Sequence, residues 1–252
     1  MNSGFYFTVF YQPIYNLLVF FIDSFPGGSV GAAVIITTVL VKLVLFPLTK
    51  KALISQMKQQ EIQPKIEAVR AKHKGNREAE GRAIMEVYKE AKLNPFAGIF
   101  SLLIQLPIIF ALFFIFARSG LPEIRAEVLY SFVDVPSVVS MVFLGFFHLA
   151  EKSWILAILA GAAQFVQAQL SIPPSANTPP AGNKPSFGSD FAKSMNFQVK
   201  YVLPIFIIFV AHSLFSAVAL YFLVSNLFSI GQELALRRHR KAFREANANI
   251  NI

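Results

Sequence analysis

Residues 31–49 read GAAVIITTVLVKLVLFPLT, an apolar run long enough to cross a bilayer and interrupted by a single charge, Lys42. A transmembrane helix needs about 20 mostly apolar residues, and a charge inside it is costly unless water or protein surrounds it. At a rise of about 1.5 Å per residue, a straight helix puts Lys42 about 12 Å from an interface marked by Lys50 and Lys51. A lysine stem does not reach water over that distance. The run therefore predicts a spanning helix whose charge lies in a cavity.

Three interpretations of Lys42 fit this position. The lysine is structural and paired with a carbonyl or carboxylate, or it snorkels partway through a locally thinned bilayer, or it is a functional cation that lines a polar cavity. The five apolar runs that we predict to span the membrane contain no Asp or Glu. Because an unpaired buried charge is expensive unless hydrated, the cavity is favoured.

The composition of the whole chain is that of a polytopic membrane protein. Of its 252 residues, 55% are hydrophobic and 15% are charged, whereas a soluble domain is usually about 25% charged. The chain has no cysteine, which excludes disulfides, thiolate metal sites and an acylated lipoprotein cysteine. Its net charge of +9 is concentrated in separate segments, a distribution that argues against a nucleic-acid-binding protein.

Five apolar runs predict an all-α fold with a core of five transmembrane helices, and the distribution of charge predicts their orientation. Segment 50–92 carries eleven Lys and Arg against six Glu, whereas the connection 118–152 carries three basic and four acidic residues. By the positive-inside rule, the N-terminus lies outside and the C-terminus in the cytoplasm. The five predicted spans are residues 30–49, 96–117, 154–172, 199–212 and 216–232.

The predicted spans divide the chain into segments. An N-terminal interfacial segment, 1–29, precedes the first transmembrane helix, 30–49. A cytoplasmic helical hairpin occupies 50–95. The remaining four transmembrane helices occupy 96–232, with an external loop at 118–153 and a Pro-, Ser- and Gly-rich cytoplasmic loop at 173–198. A basic cytoplasmic tail, 233–252, ends the chain.

Two of these segments have helical patterns of their own. In 5–22, Thr8, Gln12 and Asn16 recur every fourth residue, which favours a helix lying in the outer interface. A spanning signal anchor is the alternative. In the hairpin, apolar residues recur at helical spacing on both sides of the turn 73–76, HKGN. Gln63 and Pro64 lie in its first arm, where the proline is expected to start or kink a helix.

Polar side chains also occur inside the predicted spans. Single Gln, Ser and Thr residues usually hydrogen-bond a neighbouring helix, but their number here, together with Lys42, predicts a polar groove. We find no metal-ligand spacing, nucleophile set or phosphate-binding loop, so we expect no enzyme activity, cofactor or metal. The candidate groove residues are Lys42, Thr38, Gln105, Gln164, Gln167, Ser225 and Asn226.

Taken together, several strings resemble the YidC branch of the Oxa-type membrane protein insertases. They occur in the family's order and cover about 30–232. They are LVKLVLFPLT at 40–49, QMKQQEIQPKI at 56–66, LNPFAGIFSLLIQLPIIFALF at 93–113, ILAGAAQFVQAQLS at 158–171 and VLPIFIIFVAHSLFSAVALYFLVSNLFSIGQ at 202–232.

The resemblance implies a five-helix core around a groove that is open to the cytoplasm and closed outside, in the bacterial inner membrane. The family usually has arginine where this chain has Lys42, so the charge is kept but the fork of donors is lost. Ile99, Ser101 and Phe222 also depart from the usual pattern. The chain resembles short members that have no large extracytoplasmic domain.

The implied substrates are nascent membrane proteins. The implied partners are the ribosome, targeting factors and the Sec translocon. By default the basic hairpin and tail are topology determinants, and the alternative is that they bind anionic lipid headgroups or the ribosomal RNA surface. The tail residues that would make ribosome or lipid contacts are Arg237, Arg238, Arg240 and Lys241.

Two other classes of protein stay open. A small secondary transporter or channel could use the same intramembrane cation, although such proteins more often have symmetric halves or discontinuous helices. An assembly scaffold would need the hairpin but not Lys42.

Overall fold

The computed structural model describes residues 4–73, 75–94, 97–118, 121–171 and 197–250, and these are mostly helical. Almost all of the predicted cytoplasmic loop 173–198 lies outside the described residues. The helices are α1 Gln12–Ser24, α2 Val30–Val44, α3 Phe46–Lys72, α4 Arg77–Glu90, α5 Ala97–Arg118, α6 Trp154–Ser171, α7 Leu203–Ser213 and α8 Ser216–Ile250.

Within the described ranges, two helical stretches are long and apolar enough to cross a membrane: Trp154–Ser171, with 18 residues, and Ser216–Arg238, with 23. The number becomes three if α2 and α3, which are separated by a short break, form one span. Two shorter apolar helical stretches, Gln105–Phe116 and Gln198–Ser213, lie within the second and fourth predicted spans or overlap them. The five-helix core therefore stays a prediction.

The first predicted span is not one continuous helix. α2 ends at Val44, the Leu45 N–H bonds to the carbonyl of Val41 at 3.0 Å, and α3 begins at Phe46. Pro47 explains the break, because it has no N–H to donate to the carbonyl four residues earlier and its ring clashes with that carbonyl in a continuous helix, whereas the first turn of a new helix tolerates it. The distance of about 12 Å expected for Lys42 assumed a straight helix, and the break removes that assumption.

Prolines also shape two other helices. π-helical turns at Phe7–Tyr11 and Gln198–Val202 lead directly into α1 and α7, and each precedes a proline, Pro13 or Pro204. A wider turn accommodates the missing N–H and the bulk of the ring. Pro64 behaves differently, because α3 runs through it. Of the two outcomes expected at Pro64, a helix start is therefore excluded, and a kink stays a prediction.

The chain forms two compact units. The first comprises Met1–Phe46, Ser101–Gln164 and Ile205–Phe228. Its core combines bulky side chains of α1 with alanines at helix contacts, a pattern typical of helices packed within membranes. Fully buried examples are Tyr15, Leu18 and Ile22 on α1, Ala157 and Ala160 on α6, and Ala217 and Ala219 on α8.

The 121–153 connection is attached to the first unit through backbone and glycine contacts. It contains a small antiparallel hairpin, β1 Val142–Phe143 and β2 Phe147–His148. The Ser140 N–H donates to the Gly28 carbonyl at 2.8 Å, and the Val30 N–H donates to the Ser140 carbonyl at 3.0 Å. A Cβ at Gly28 would lie 1.9 Å from the Val138 carbonyl oxygen, and one at Gly31 would lie 2.2 Å from the Phe143 ring. Only glycine fits this approach.

The polar stripe of α1 faces the same connection. Asn16 is buried, and its amide donates to the Val128 carbonyl at 3.0 Å and accepts from the Tyr130 N–H at 2.6 Å. Gln12 also donates to the Val128 carbonyl, at 3.2 Å. These two polar residues bind protein backbone, so the stripe does not by itself require an interfacial helix.

The second unit comprises Pro47–Phe100, Phe165–Pro204 and Ser229–Ile252. Asn76 caps α4, because its side chain accepts from the Ala79 N–H at 3.1 Å. α3 and the chain around α4 touch near the turn, where Arg70 and Glu80 are 3.9 Å apart. They touch again farther away, where Gln59 donates to the Asn94 carbonyl at 2.6 Å. The cytoplasmic location of this pair stays a prediction.

Candidate functional site

The first unit brings Lys42 to a group of polar side chains from three helices. The Lys42 Nζ donates to Gln105 Oε1 of α5 at 3.4 Å. The Gln105 Nε2 in turn donates to the Tyr221 hydroxyl of α8 and to Ser225 Oγ at 3.4 Å. We call Lys42, Gln105, Tyr221 and Ser225 the Lys42 group. Three of its four members are residues that the sequence predicts for the groove.

The chemistry of the Lys42 group suits a cation held by neutral dipoles. A glutamine amide has one acceptor and two donor hydrogens, and here the acceptor faces the ammonium while the donors face hydroxyls. Tyr221 and Ser225 are each 2% exposed, whereas the Lys42 side chain is only half-buried. The group therefore orients a charge whose surroundings are partly open.

The break after α2 also positions Lys42. It lies in the last turn of that helix, where the negative end of the helix dipole stabilises a cation. The sequence thus places the lysine at a helix end, and the contact with Gln105 on α5 fixes the direction of its stem.

The first unit contains three other predicted groove residues, and two of them hydrogen-bond backbone carbonyls. Thr38 Oγ1 donates to the Val34 carbonyl at 2.6 Å, within α2 itself. The Asn226 amide donates to the Ala160 carbonyl of α6 at 3.4 Å. Gln164 is half-buried on α6. Asn226 therefore makes the contact between helices that is expected of a packing residue, whereas Thr38 bonds back to its own helix.

Gln167 belongs to the second unit, in a separate polar cluster. Its amide donates to Ser171 Oγ at 3.0 Å, and that hydroxyl donates to Glu233 Oε2 at 2.9 Å. Arg237 binds the other carboxylate oxygen, with its Nη2 2.9 Å from Glu233 Oε1. Glu233 is 2% exposed, so the cluster contains a buried carboxylate with its cation.

The same cluster caps the C-terminal end of α6. Arg237 Nη2 donates to the Leu170 carbonyl at 2.5 Å, and the Gln60 amide of α3 donates to the Ser171 carbonyl at 2.7 Å. The last carbonyls of a helix have no partner within it, and these side chains supply partners. We call Gln60, Ser171, Glu233 and Arg237 the capping cluster.

The predicted ribosome or lipid contacts in the tail therefore differ from one another. The Arg237 guanidinium is engaged within the chain, whereas Arg238 is exposed. The side chains of Arg240 and Lys241 lie outside the described residues, and in the first arm of the hairpin Gln63 is half-buried and Pro64 exposed.

Sequence reasoning missed Tyr221 and Glu233. Tyr221 lies four residues before Ser225, so the two share a helix face, and that spacing could have identified it. Glu233 lies one residue beyond the last predicted span and four before Arg237, a spacing typical of helical ion pairs. Among the described residues, no group of His, Asp or Glu is arranged to hold a metal.

Comparison with known proteins then decides the family. The model of the 60Kd inner membrane protein family matches residues 21–244, which is most of the chain. The chain belongs to this family. Membership agrees with the resemblance to the YidC branch and, together with the apolar helices, makes the chain a multi-pass protein of the inner membrane.

Curated relatives within the family carry an insertase name. The chain is 30% identical over 215 residues to the membrane protein insertase YidC of Francisella tularensis subsp. novicida, strain U112, a match that covers 85% of this chain and 34% of that relative. The YidC proteins of subsp. tularensis strain WY96-3418 and subsp. holarctica strain OSU18 match equally well. The chain thus spans about a third of the length of these relatives.

Proposed function

We propose that this chain is a membrane protein insertase and chaperone that acts through a hydrated groove open to the cytoplasm. In this proposal the N-terminus lies outside, five helices form the core, and the chain makes and breaks no covalent bond. The family membership and the name of its curated relatives support the general activity.

The single observation that carries the proposal is the Lys42 group. Lys42 is a half-buried cation in an apolar helix, and its ammonium contacts the Gln105 amide from another helix. Keeping a charge in such a place is costly. The cost is offset if the charge acts on a substrate that must itself cross the membrane.

The mechanism follows from the energetics of desolvation. A polar substrate segment is strongly disfavoured in hydrocarbon, and a water-filled groove shortens the low-dielectric path. Lys42 attracts acidic residues of the substrate's tail, while Gln105 and Ser225 hold the ammonium in place. The apolar span of the substrate then partitions into lipid, which supplies the driving free energy. The contact must be transient, because a tight salt bridge would trap the substrate.

The extramembrane segments are proposed to deliver the substrate. The hairpin, with Gln63 and Pro64, receives the nascent chain or a targeting factor. The tail contacts the ribosome or anionic lipid headgroups, which attract basic residues. Arg238 is the described residue best suited to this role, because it is exposed while Arg237 is bound within the chain.

The test is complementation of a bacterial strain depleted of its own insertase. We expect wild type and Lys42→Arg to restore growth and the insertion of single-span proteins with acidic tails. We expect Lys42→Ala to be weaker and Lys42→Glu to fail, since a negative charge repels the substrate's acidic residues. Lys51→Glu makes the same charge change at an exposed position and is expected to behave like wild type.

Equal insertion by Lys42→Glu and wild type would contradict the role of the groove charge. Failure of well-expressed wild type to complement would contradict the insertase proposal in that host. The purified protein in liposomes would then be tested for solute flux. We expect flux from a transporter or channel and none from an insertase.

A further inference from the structure

The 121–153 connection contains an apolar segment that the proposed function does not use. Residues 138–147 read VVSMVFLGFF and carry no charged side chain, and Ser140 is the only residue among them with a polar one. A surface connection usually has polar and turn-forming residues. Its composition instead resembles that of a buried strand, although much of it is not buried.

Most of the exposed apolar side chains of this segment lie at the tip of the β1–β2 hairpin, apart from Val138 at its start. Leu144 is 66% exposed and Phe146 is 70% exposed, and Val142 next to them is 44% exposed. Phe143 differs, because its ring lies against Gly31 of α2. One side of the hairpin is thus attached to the unit, and the tip is not covered. We call residues 142–147 the apolar finger.

The backbone at the tip is unusual for the residue that occupies it. Leu144 has φ 54° and Gly145 has φ 79°. Tight hairpin turns with two positive φ values favour Asn-Gly or Asp-Gly, and a bulky side chain with positive φ is strained. Strain that a sequence retains at an exposed position is a reason to look for a function of that side chain. The strained residue here, Leu144, is an exposed apolar one at the tip of the hairpin.

The base of the apolar finger is fixed at helix ends. The Leu149 N–H donates to the Met141 carbonyl at 2.8 Å, and the Ala217 N–H at the start of α8 donates to the Leu149 carbonyl at 3.1 Å. Ser140 pairs with the backbone at the start of α2. α2 and α8 contribute to the candidate spans, so the finger projects from the level at which these helices leave the membrane.

The finger is also close in sequence to a candidate span. Only five residues separate β2 from α6, a candidate span whose first residues, Trp154 and Ile155, are 52% and 60% exposed. An exposed tryptophan at the end of a span is typical of the membrane–water interface. The finger therefore lies a short link away from the exposed apolar start of a candidate span.

We propose that the apolar finger inserts Leu144 and Phe146 into the interfacial region of the bilayer and anchors this end of the first unit to lipid. A bilayer is favoured over a protein partner for two reasons. The exposed tip, VFLGFF at 142–147, offers no polar side chain that would specify a protein surface, and its base is attached at the first residues of helices that contribute to candidate spans. This contact does not depend on the insertase activity.

Quenching of tryptophan fluorescence by brominated lipid tests the proposal. Because Trp154 is the only tryptophan in the chain, Phe146→Trp in a Trp154→Phe background reports on the finger alone. The full chain is reconstituted in phosphatidylcholine vesicles, with or without bromine near the headgroup end of the acyl chains. We expect a loss of emission in the brominated vesicles and little quenching by aqueous iodide.

Glu123→Trp in the same background is the matched control. Glu123 is an exposed polar residue of the same connection, so its substitute is expected to be quenched by iodide and not by brominated lipid. If the Phe146→Trp protein does not fold, Leu144→Trp, at the other exposed position of the same tip, gives the same readout.

Two results would overturn the lipid contact. Strong iodide quenching with no effect of bromine would show that the finger stands in water. Protection from both quenchers would show that protein covers it, either a second copy of the chain or another part of this one.

Discussion

Lys42 is the residue on which the proposed function depends, and the side chain that its ammonium contacts on α5 is a neutral amide. A carboxylate at the same place would hold the ammonium more tightly and compete with an acidic substrate. Gln105 orients the charge without cancelling it, and the Tyr221 hydroxyl and Ser225 fix the amide in turn. The arrangement fits a site that must bind and release.

A double-mutant cycle measures this contact. We expect Lys42→Met and Gln105→Leu to be non-additive by about 0.5–1.5 kcal/mol in the free energy of unfolding in detergent micelles, the range of hydrogen bonds between membrane helices. Asn226→Leu replaces an amide that donates to the Ala160 carbonyl, and its effect is expected to add to that of Lys42→Met. A coupling of zero for the first pair would mean that the contact contributes nothing to stability.

At this scale the sequence predicts residue types better than partnerships. An isolated lysine and several polar residues in apolar runs are visible without a structure. That Gln105 bonds Lys42 and that Gln167 joins another unit are not, because the contacts depend on how helices rotate against one another. Glu233 escaped notice because it lies just past the last apolar run.

Among the elements, the end of α6 is held by the capping cluster. Glu233 and Arg237 lie one turn apart on α8, and Gln60 comes from α3. A buried ion pair is weak grounds for high stability, but removing one partner leaves the other charge uncompensated. The cluster therefore specifies how these three segments meet.

We expect Arg237→Met to lower the free energy of unfolding by about 1–3 kcal/mol, because the Glu233 carboxylate is left buried without its cation. The arginine side chain is 38% exposed, so the loss falls short of the 3–5 kcal/mol typical of fully buried pairs. Adding Glu233→Gln should recover most of the stability.

The control is Arg82→Met, which breaks an ion pair of the same helical spacing with Glu78. Its side chains are 78% and 76% exposed, so we expect a change of at most about 0.5 kcal/mol. Denaturation in detergent compares the three variants. An Arg82→Met effect as large as that of Arg237→Met would contradict the argument from burial.

Helix positions were largely predictable, and helix ends were not. The apolar runs that begin α6 and α8 were placed correctly, because long apolar segments are the strongest signal in a membrane sequence. The helix break at Leu45 was not predicted, although Pro47, two residues later, is a signal for it. The predicted span 30–49 followed the apolar composition of the run and took no account of the proline within it.

At the scale of the whole molecule, the feature to be tested is the membrane topology, that is, how often and in which direction the chain crosses the bilayer. The positive-inside rule puts the hairpin and tail in the cytoplasm and the 121–153 connection outside. Topology therefore rests on charge.

Single cysteines test the topology, since the natural chain has none. We expect a membrane-impermeant maleimide to label Glu123→Cys in intact cells. Gln63→Cys and Arg238→Cys should react only after the membrane is made permeable. Labelling of position 63 from outside would invert the topology and remove the basis for a cytoplasm-open groove.

Gly28 and Gly31 restrict how the sequence can vary among homologous chains. Each leaves room for one specific group of the 121–153 connection: the Val138 carbonyl at Gly28, the Phe143 ring at Gly31. A larger side chain at position 31 is tolerable only if a smaller residue replaces Phe143 at the same time. At position 28 no such exchange is possible, because the facing group is the Val138 backbone carbonyl, which every residue has. We therefore expect homologous chains to vary positions 31 and 143 as a pair and to keep position 28 invariant.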